Sequence, residues 1–334
     1  MTRFRSMLLC AVIAGIAIAG SGCSRDSDAL TVYSGRTADL VGPLFERFEQ
    51  QTGVKVKVRY GDSAEVSGAI LEEGDNPRAD VLLVQDAGNI GQVAGAGRLV
   101  PLDPVVLDRV PEQFRSPDGL WEGVSGRARV VAYNTDDVPE SDLPASIQGF
   151  TDPKWKGRLA WAPTNGSFQA FITAFRVMEG EDAARAWLEA VKANDPKVFP
   201  NNSAIVEAVG RGEVDAGFVN HYYLYRLRAE GKAGAAENKY FGDGDPGSLV
   251  NVSAVGVVKG SSHDADARRL VEFLLSDESQ RYFAENTYEL PVVESVEAGP
   301  GLPPIVSLAR PEVDLSRLDD ARGTVDLLTN VGIL

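Results

Sequence analysis

LTVYSGRTADLVGPLFERFEQQTGVKVKVRY (residues 30–60) carries the pattern that decides the fold. Its first four residues predict a strand, and residues 54–60 alternate apolar and polar side chains as a half-buried strand does. Between these strands, apolar residues recur at helical spacing after Thr37, a suitable N-terminal cap. These residues are Leu40, Val41, Leu44, Phe45 and Phe48. The stretch therefore predicts a strand–helix–strand unit.

The same alternation continues along the chain. A second helix is expected over residues 64–73, and DVLLV (80–84) has the continuous apolar character of a buried strand. Further on, a helix is expected over 181–194 and a short strand over 213–218. Strands that alternate with helices favour an α/β fold, with mostly parallel sheets flanked by helices.

Two extended runs indicate that the chain crosses between two lobes. They are GRARVVAY (126–133) and LVNVSAVGVV (249–258), and the segment between them is large enough for an inserted α/β lobe. We expect a first lobe of residues 30–126 and 256–334 and a second lobe of residues 127–255. Ligands of open α/β sheets bind beyond the carboxyl ends of the strands, so the cleft between the lobes is the expected binding site.

The N-terminus has the features of an export signal. Arg3 and Arg5 precede an apolar stretch, residues 7–20, that is short for a membrane span, so residues 1–22 are interpreted as a signal peptide and residues 23–29 as a linker. GSGC (20–23) resembles a bacterial lipobox, which predicts lipid modification of Cys23. AIA (17–19) fits the alternative, a cleavage site that would release a soluble protein. Either route predicts an exported protein, in the periplasm or on the outer face of the membrane.

Composition narrows the class of function. The formal net charge of −15 argues against nucleic acid or an anionic membrane surface as the main partner. Two histidines in 334 residues exclude a histidine-rich zinc or copper site. Cys10 is lost with the signal, so the mature chain cannot form an internal disulfide. The chain carries no nucleophile-elbow, phosphate-loop or dinucleotide-binding motif, which argues against an enzyme.

The adjacent pair Tyr222–Tyr223 is the best candidate for chemistry. It follows the strand expected over 213–218, in which Val214, Ala216 and Phe218 alternate on one face. Neighbouring side chains diverge on regular backbone, so we expect the two phenols to meet at a strand-to-helix corner. Phenolate is a hard anionic oxygen ligand, and tyrosine ligates iron in haem proteins. The alternative is a half-buried aromatic pair that supports a loop.

An ordered set of motifs is similar to a known family. The set runs from LTVYSGR (30–36) through GRARV (126–130), WKGRL (155–159), APTNGSF (162–168), NNS (201–203) and GEVDAGFVNHYY (212–223) to FAENTYELP (283–291). Together these motifs resemble the ferric-ion-binding, substrate-binding components of bacterial ABC iron transporters. The match spans nearly the whole mature chain, in order.

The resemblance implies a type II-like periplasmic binding protein, with two lobes joined by two hinge strands. It implies that Tyr222 and Tyr223 hold ferric iron together with a carbonate or phosphate anion. The implied anion-binding residues are Asn165, Gly166, Ser167, Asn202, Asn220 and Arg36. It also implies a monomer that delivers iron to a membrane permease and its ATPase. A Gly-Ser turn ahead of a helix expected over 168–177 suits anion binding independently, because helix N-termini present free N–H groups.

The sequence also departs from the family pattern. Thr37 and Gln85 stand where some members have a histidine and a glutamate ligand, and Phe168 stands near a position where others have a ligating tyrosine. The protein side of the site is therefore expected to be reduced to two ligands, with Asp86 as a possible substitute carboxylate.

Other assignments remain open in the sequence. For Arg127 and Arg129, the sequence favours salt bridges between the lobes over contact with the ligand. His221 can either support a tyrosinate or lie exposed on a loop. The alternative function is a receptor for a small organic solute or anion, such as a polyamine, sulfate or phosphonate.

Overall fold

The computed structural model describes residues 28–308 and 313–334. The predicted export signal, Cys23 and most of the predicted linker lie outside the described residues. Within these ranges the chain forms nine strands and eleven α-helices.

The strands are β1 (Ala29–Ser34), β2 (Lys55–Tyr60), β3 (Val81–Val84), β4 (Glu122–Asn134), β5 (Leu159–Trp161), β6 (Lys197–Val198), β7 (Ala216–Asn220), β8 (Ala236–Lys239) and β9 (Val250–Val257). The helices are α1 (Ala38–Thr52), α2 (Ser63–Glu73), α3 (Ala87–Gly95), α4 (Pro104–Leu107), α5 (Gly166–Glu179), α6 (Glu181–Ala193), α7 (Asn202–Gly210), α8 (Tyr222–Ala229), α9 (Asp264–Leu274), α10 (Asp277–Tyr282) and α11 (Ala321–Asn330).

The first lobe is built on the predicted strand–helix alternation. Strand β1 pairs in parallel with β2 on one side and with β3 on the other. Helix α1 buries Val41, Leu44, Phe45 and Phe48, the face that the spacing predicted. Thr37 occupies the N-terminal cap position of α1, but its side chain makes no capping hydrogen bond. The predicted β-α-β-α-β order is thus confirmed, without the predicted cap contact.

Strand β4 belongs to the sheets of both lobes. Residues 122–128 pair antiparallel with β9, which in turn pairs with β3 of the first lobe. From Arg129 onward, the same strand pairs antiparallel with β7 and, further along, with β8. Both predicted crossing runs are therefore strands, and the antiparallel β9 and β4 join the parallel strands of the two lobes.

The second lobe has a sheet with a core on each face. Strand β5 pairs in parallel with β6 and β7. Along β4, Val131 and Tyr133 face the aromatic core under α5 and α6, whereas Val130 and Ala132 face the core under α7. Because side chains alternate along a strand, Arg129 lies on the same face as Val131 and points toward α5.

The C-terminal segment spans both lobes. Leu315 and Leu318 are buried in the core of the first lobe, whereas Leu327 and Leu328 of α11 are buried in the aromatic core of the second. Arg176 of α5 holds this segment by donating to Asp320 Oδ2 at 2.9 Å. Residues 256–334 were all expected in the first lobe. The packing of α11 differs from that assignment because its apolar face lies on α5.

Helix α11 is expected to be an integral part of the second core. We predict that Leu328→Ala lowers the free energy of unfolding by about 2 to 5 kcal/mol, because it leaves a cavity among packed side chains. Val325 on the same helix is 37% exposed, and Val325→Ala should change stability by less than about 0.5 kcal/mol. Denaturant unfolding of both variants measures the difference, and equal stabilities would contradict the assignment of α11 to this core.

No helix in the described ranges is long and apolar enough to cross a membrane.

Candidate metal centre

The two tyrosines lie at a corner between a strand and a helix. Strand β7 ends at Asn220, His221 adopts a helical conformation, and Tyr222 is the first residue of α8. The rings of Tyr222 and Tyr223 stack with a centroid separation of 4.2 Å and an angle of 28°. The predicted corner is confirmed. The strand covers Ala216–Asn220 rather than 213–218, because residues 211–215 form the turn that follows α7.

The tyrosines differ in their surroundings. Tyr222 is buried, with 4% of its surface exposed, whereas Tyr223 is half-buried. Burial, reinforced by the neighbouring phenol of Tyr223, raises the pKa of Tyr222 well above its usual value of 10.0. The Tyr222 phenol is therefore protonated at neutral pH.

Arg36 is buried beside the tyrosines and has a carboxylate partner. Its Nη2 donates to Glu289, and Glu289 also accepts a hydrogen bond from Ser125 Oγ at 2.7 Å. Burial alone would raise the pKa of Glu289, but the charges of Arg36 and Arg127 outweigh it and lower that pKa. Glu289 is therefore ionised and neutralises one arginine. Glu289 belongs to the motif FAENTYELP (283–291), but the sequence assigned it no role because its partners come from distant segments.

Arg127 and Arg129 are buried, and among the described residues no acidic side chain forms a salt bridge with either of them. Each is 3% exposed, and neither forms a salt bridge within the described ranges. The Nε and Nη2 atoms of both guanidinium groups lack hydrogen-bond acceptors there. Burial lowers the pKa of Arg129 to about 9. The predicted salt bridging between lobes is therefore wrong for these two residues.

Arg129 instead links the tyrosine corner to the predicted anion-binding loop. Its Nη1 donates to Ser167 Oγ and to Asn220 Oδ1, each at 3.4 Å. Its guanidinium also lies over the rings of Phe168 and Phe171, at 5.7 and 5.3 Å from their centroids. Phe168 thus supports the arginine from the apolar side. The alternation of two arginines in an otherwise apolar strand was the sequence signal for this arrangement.

Four of the predicted anion-binding residues form one hydrogen-bonded network. Asn165 caps α5, and its Oδ1 accepts from Ser167 N at 3.0 Å and from Asn202 Nδ2 at 3.0 Å. Asn202 Oδ1 accepts from the backbone N–H of Asn220 at 3.0 Å. Gly166 is the first residue of α5 and is exposed. The network holds the N-terminus of α5, which starts at Gly166 rather than at 168, next to Arg129.

The residues at the departures from the family pattern have other roles. Thr37 is exposed, and Phe168 is buried in the aromatic core. Asp86 caps α3, with Oδ1 accepting from Asn89 N at 2.9 Å and Oδ2 from Asn89 Nδ2 at 2.8 Å. Both of its carboxylate oxygens are thus already hydrogen-bonded. Within residues 28–308 and 313–334, no three His, Cys, Asp or Glu side chains form a group that could hold a metal.

A cavity of about 510 Å³ lies in the cleft, lined by residues of both lobes. Gln85, Asp86 and Asn89 line it from the first lobe, and Leu318 and Ala321 from the C-terminal segment. From the second lobe and β4 the lining residues are Arg127, Arg129, Asn165, Gly166, Ser167 and Asn220. The tyrosine rings are not part of this lining. Arg127 nevertheless interacts electrostatically with Tyr222, and Arg129 interacts electrostatically with Tyr223.

Comparison with known proteins identifies the family of this chain. Residues 76–314 match the family described as bacterial extracellular solute-binding protein. The chain belongs to this family. It is a family of binding proteins, which confirms the interpretation that the chain is not an enzyme.

Individual relatives of this solute-binding protein agree with that assignment. The Fe(3+)-binding periplasmic protein of Serratia marcescens is 32% identical over 94% of both chains. Iron-bound HitA from Pseudomonas aeruginosa superposes with a TM-score of 0.84 at 35% identity, over 91% of this chain and 99% of HitA. A Trichodesmium protein in complex with iron and citrate has a TM-score of 0.81 at 31% identity, over 91% and 99%. The resemblance to ferric-ion-binding proteins and the two-lobed fold are confirmed.

The buried, unpaired charge of Arg129 should be unfavourable for folding. We predict that Arg129→Met raises the free energy of unfolding by about 1 to 3 kcal/mol, because an apolar chain of similar length packs against Phe168 and Phe171 without a charge to desolvate. Arg185 on the outer face of α6 has a side chain that is 37% exposed, and Arg185→Met should be neutral within about 0.5 kcal/mol. Chemical denaturation in chloride buffer measures both. Strong destabilisation by Arg129→Met would show that the charge is compensated.

Proposed function

We propose that this protein captures ferric iron outside the cytoplasm through the phenolates of Tyr222 and Tyr223, together with a small anion. Its role is that of the solute-binding component of an ABC transporter. The observation that carries the proposal is the stacked tyrosine pair at the β7–α8 corner, next to three buried arginines and the buried carboxylate of Glu289. The iron-binding relatives described above support the same cargo.

The chemistry of the phenols suits ferric iron. Ferric iron is a hard ion, and phenolate oxygen is a hard, anionic ligand. Because burial raises the pKa of Tyr222, iron must displace a phenolic proton to bind. Iron affinity should therefore fall as the pH falls. The expected direction is tighter binding at pH 8 than at pH 6.

Charge balance calls for an additional anion. Two phenolates reduce the charge of ferric iron from three to one, and Glu289, which forms a salt bridge with Arg36, supplies one further negative charge against three arginines. Arg127 and Arg129 then leave the site strongly positive. Carbonate or phosphate would compensate this charge and complete the coordination of the metal. The proposed anion-binding residues are Asn165, Gly166 and Ser167 at the N-terminus of α5, Asn202 at the start of α7, Asn220 at the end of β7, and Arg36.

Delivery follows from the two-lobed architecture. The lobes would close around the ion and present it to a membrane permease that works with a cytoplasmic ATPase. The lobe boundaries given by the sequence, near residues 126 and 256, are the proposed hinges. We further propose a monomer attached to the outer face of the membrane through lipid-modified Cys23.

One observation favours a second candidate function. The cleft cavity is lined by Arg127, Arg129 and several side-chain amides, but not by the tyrosine rings. A small anionic solute, such as sulfate or a phosphonate, could bind these donors without a metal. The two functions differ in whether binding requires iron.

The metal proposal predicts a colour. Ferric iron added with citrate or bicarbonate to the apo-protein should produce a visible tyrosinate-to-iron charge-transfer band. Tyr223→Phe should abolish the band and leave the folded structure intact, because only one hydroxyl is removed. Absorbance spectroscopy after desalting measures both outcomes.

Tyr225→Phe is the matched control for this experiment. Tyr225 is on the same helix, but its hydroxyl donates to Gly301 O at 2.7 Å and is not a proposed ligand. This variant should keep the colour. A colourless wild-type protein, with iron passing unbound through the column, would refute the iron proposal.

A thermal-shift titration separates the two candidate functions. If the protein binds iron with an anion, ferric iron with bicarbonate or phosphate should raise Tm more than either component alone. The reason is that each partner stabilises binding of the other in the folded state. A rise with sulfate or a phosphonate alone, with no further effect of iron, would instead favour the anion receptor.

A further inference from the structure

His221, the residue before the tyrosine pair, is completely buried and uses both ring nitrogens. Its Nδ1 accepts a hydrogen bond from the backbone N–H of Ala128 at 3.1 Å. Its Nε2 lies 3.1 Å from the carbonyl oxygen of Tyr288, which can only accept. The ring is therefore the neutral tautomer with its proton on Nε2. One side chain thus connects three distant segments of the chain.

The bond to Ala128 replaces a missing bond of the β-sheet. The β4–β7 pairing ends with Arg129 opposite Asn220, so Ala128 and His221 would be the next pair. His221 N donates to Ala128 O at 3.0 Å, as in a continuing ladder. In a continuing ladder the carbonyl of His221 would accept the N–H of Ala128, but it accepts a hydrogen bond from Asn238 Nδ2 at 2.9 Å instead. The Nδ1 atom accepts the N–H of Ala128 that the turning backbone leaves free.

This replacement allows the chain to turn where the strand ends. His221 has φ −57° and ψ −41°, which directs its carbonyl away from β4 and starts α8 at Tyr222. Ala128 lies between Arg127 and Arg129. The imidazole therefore joins the tyrosine corner to the strand segment that carries the two unpaired arginines.

The bond to Tyr288 reaches the third segment. Tyr288 is one of two non-glycine residues with positive φ in the described part of the chain, at 58°. Such a conformation is unfavourable for a tyrosine and requires support from its surroundings. The next residue is Glu289, the partner of Arg36. Through this carbonyl, His221 holds the backbone that positions the Arg36–Glu289 pair.

We propose that His221 is a positioning residue for the ligand site. It sets the tyrosine corner relative to both Arg127–Arg129 and Arg36–Glu289 without touching the metal or the anion. This inference rests on the proposed function for its effect on iron, but its structural part does not depend on iron. It assigns a specific task to a histidine that the sequence left between a supporting role and an exposed loop.

The first experiment tests the tautomer without iron. The chain has only two histidines, so His263→Gln leaves a single imidazole for 15N NMR of the apo-protein. At pH 7 we expect an unprotonated Nδ1, a protonated Nε2, and a scalar coupling from the Ala128 N–H across the hydrogen bond to Nδ1. A ring protonated at Nδ1 would overturn the proposal, whether or not the protein binds iron.

The second experiment separates the two hydrogen bonds. In His221→Asn, the side-chain oxygen can replace Nδ1 as acceptor for Ala128 but cannot reach Tyr288. In His221→Gln, the side-chain nitrogen can replace Nε2 as donor to Tyr288 but leaves Ala128 without its acceptor. Each variant should weaken iron binding by about two- to tenfold, and His221→Ala should weaken it by about the product of the two effects.

The absorption spectrum distinguishes positioning from general stability. Iron-loaded His221→Gln should show a shifted charge-transfer maximum, because the corner that carries Tyr222 has moved, whereas His221→Asn should keep the wild-type maximum. His263→Gln is the control and should bind iron as the wild type does. Variants with lower Tm but unchanged affinity and spectrum would overturn the positioning role. A wild-type protein that binds no iron would refute the proposed function instead.

Discussion

The structure depends on the pairing of β4, a strand of 13 residues that is hydrogen-bonded in the sheets of both lobes. Its first half is paired with β9 and its second half with β7 and β8. The point at which its partner changes, around residues 128 and 129, is also where the tyrosine corner, the proposed anion-binding loop and the arginines meet. A single continuous strand thus brings side chains from both lobes to one place, because hydrogen bonding to two sheets fixes its position in each of them.

The site combines polar groups that are hydrogen-bonded to one another with two buried charged groups that form no salt bridge among the described residues. Hydrogen bonds link Asn165 to Ser167 and Asn202, and Asn202 to the backbone of Asn220, and Arg36 forms a salt bridge with Glu289. Arg127 and Arg129 have no salt-bridge partner in the part of the chain that the structure describes, although burying a charge without a partner costs several kcal/mol. Such a cost is typical of a site that is completed by a ligand rather than by the protein. The buried charges of Arg127 and Arg129 thus support the proposed anion independently of any relative.

Elements that are formed by residues close together in the sequence were predictable, whereas features formed by residues far apart in the sequence were not. Helix α1 was predictable because five apolar residues at helical spacing determine its buried face locally. The role of Arg127 and Arg129 was not, because salt bridging and ligand binding place the same residue types on the same strand. The sequence likewise did not determine the roles of Glu289 and His221. Their partners are separated from them by tens to hundreds of residues, as for Arg36 and Glu289, and local patterns carry no information about such pairs. The C-terminal helix was assigned to the wrong neighbour for the same reason, since its amphipathic pattern specifies an apolar face but not the core that it joins.

By itself, the sequence determined the α/β class, the two crossing strands, the corner that carries Tyr222 and Tyr223 and, through ordered motifs, the family of solute-binding proteins. Local periodicity and residue chemistry are sufficient for these properties. Only the tertiary structure decided which arginine has a partner, which histidine nitrogen carries the proton and which core receives α11. These properties arise where segments far apart in the chain are packed together out of water, so that each polar group must be matched by a neighbour or left for a ligand.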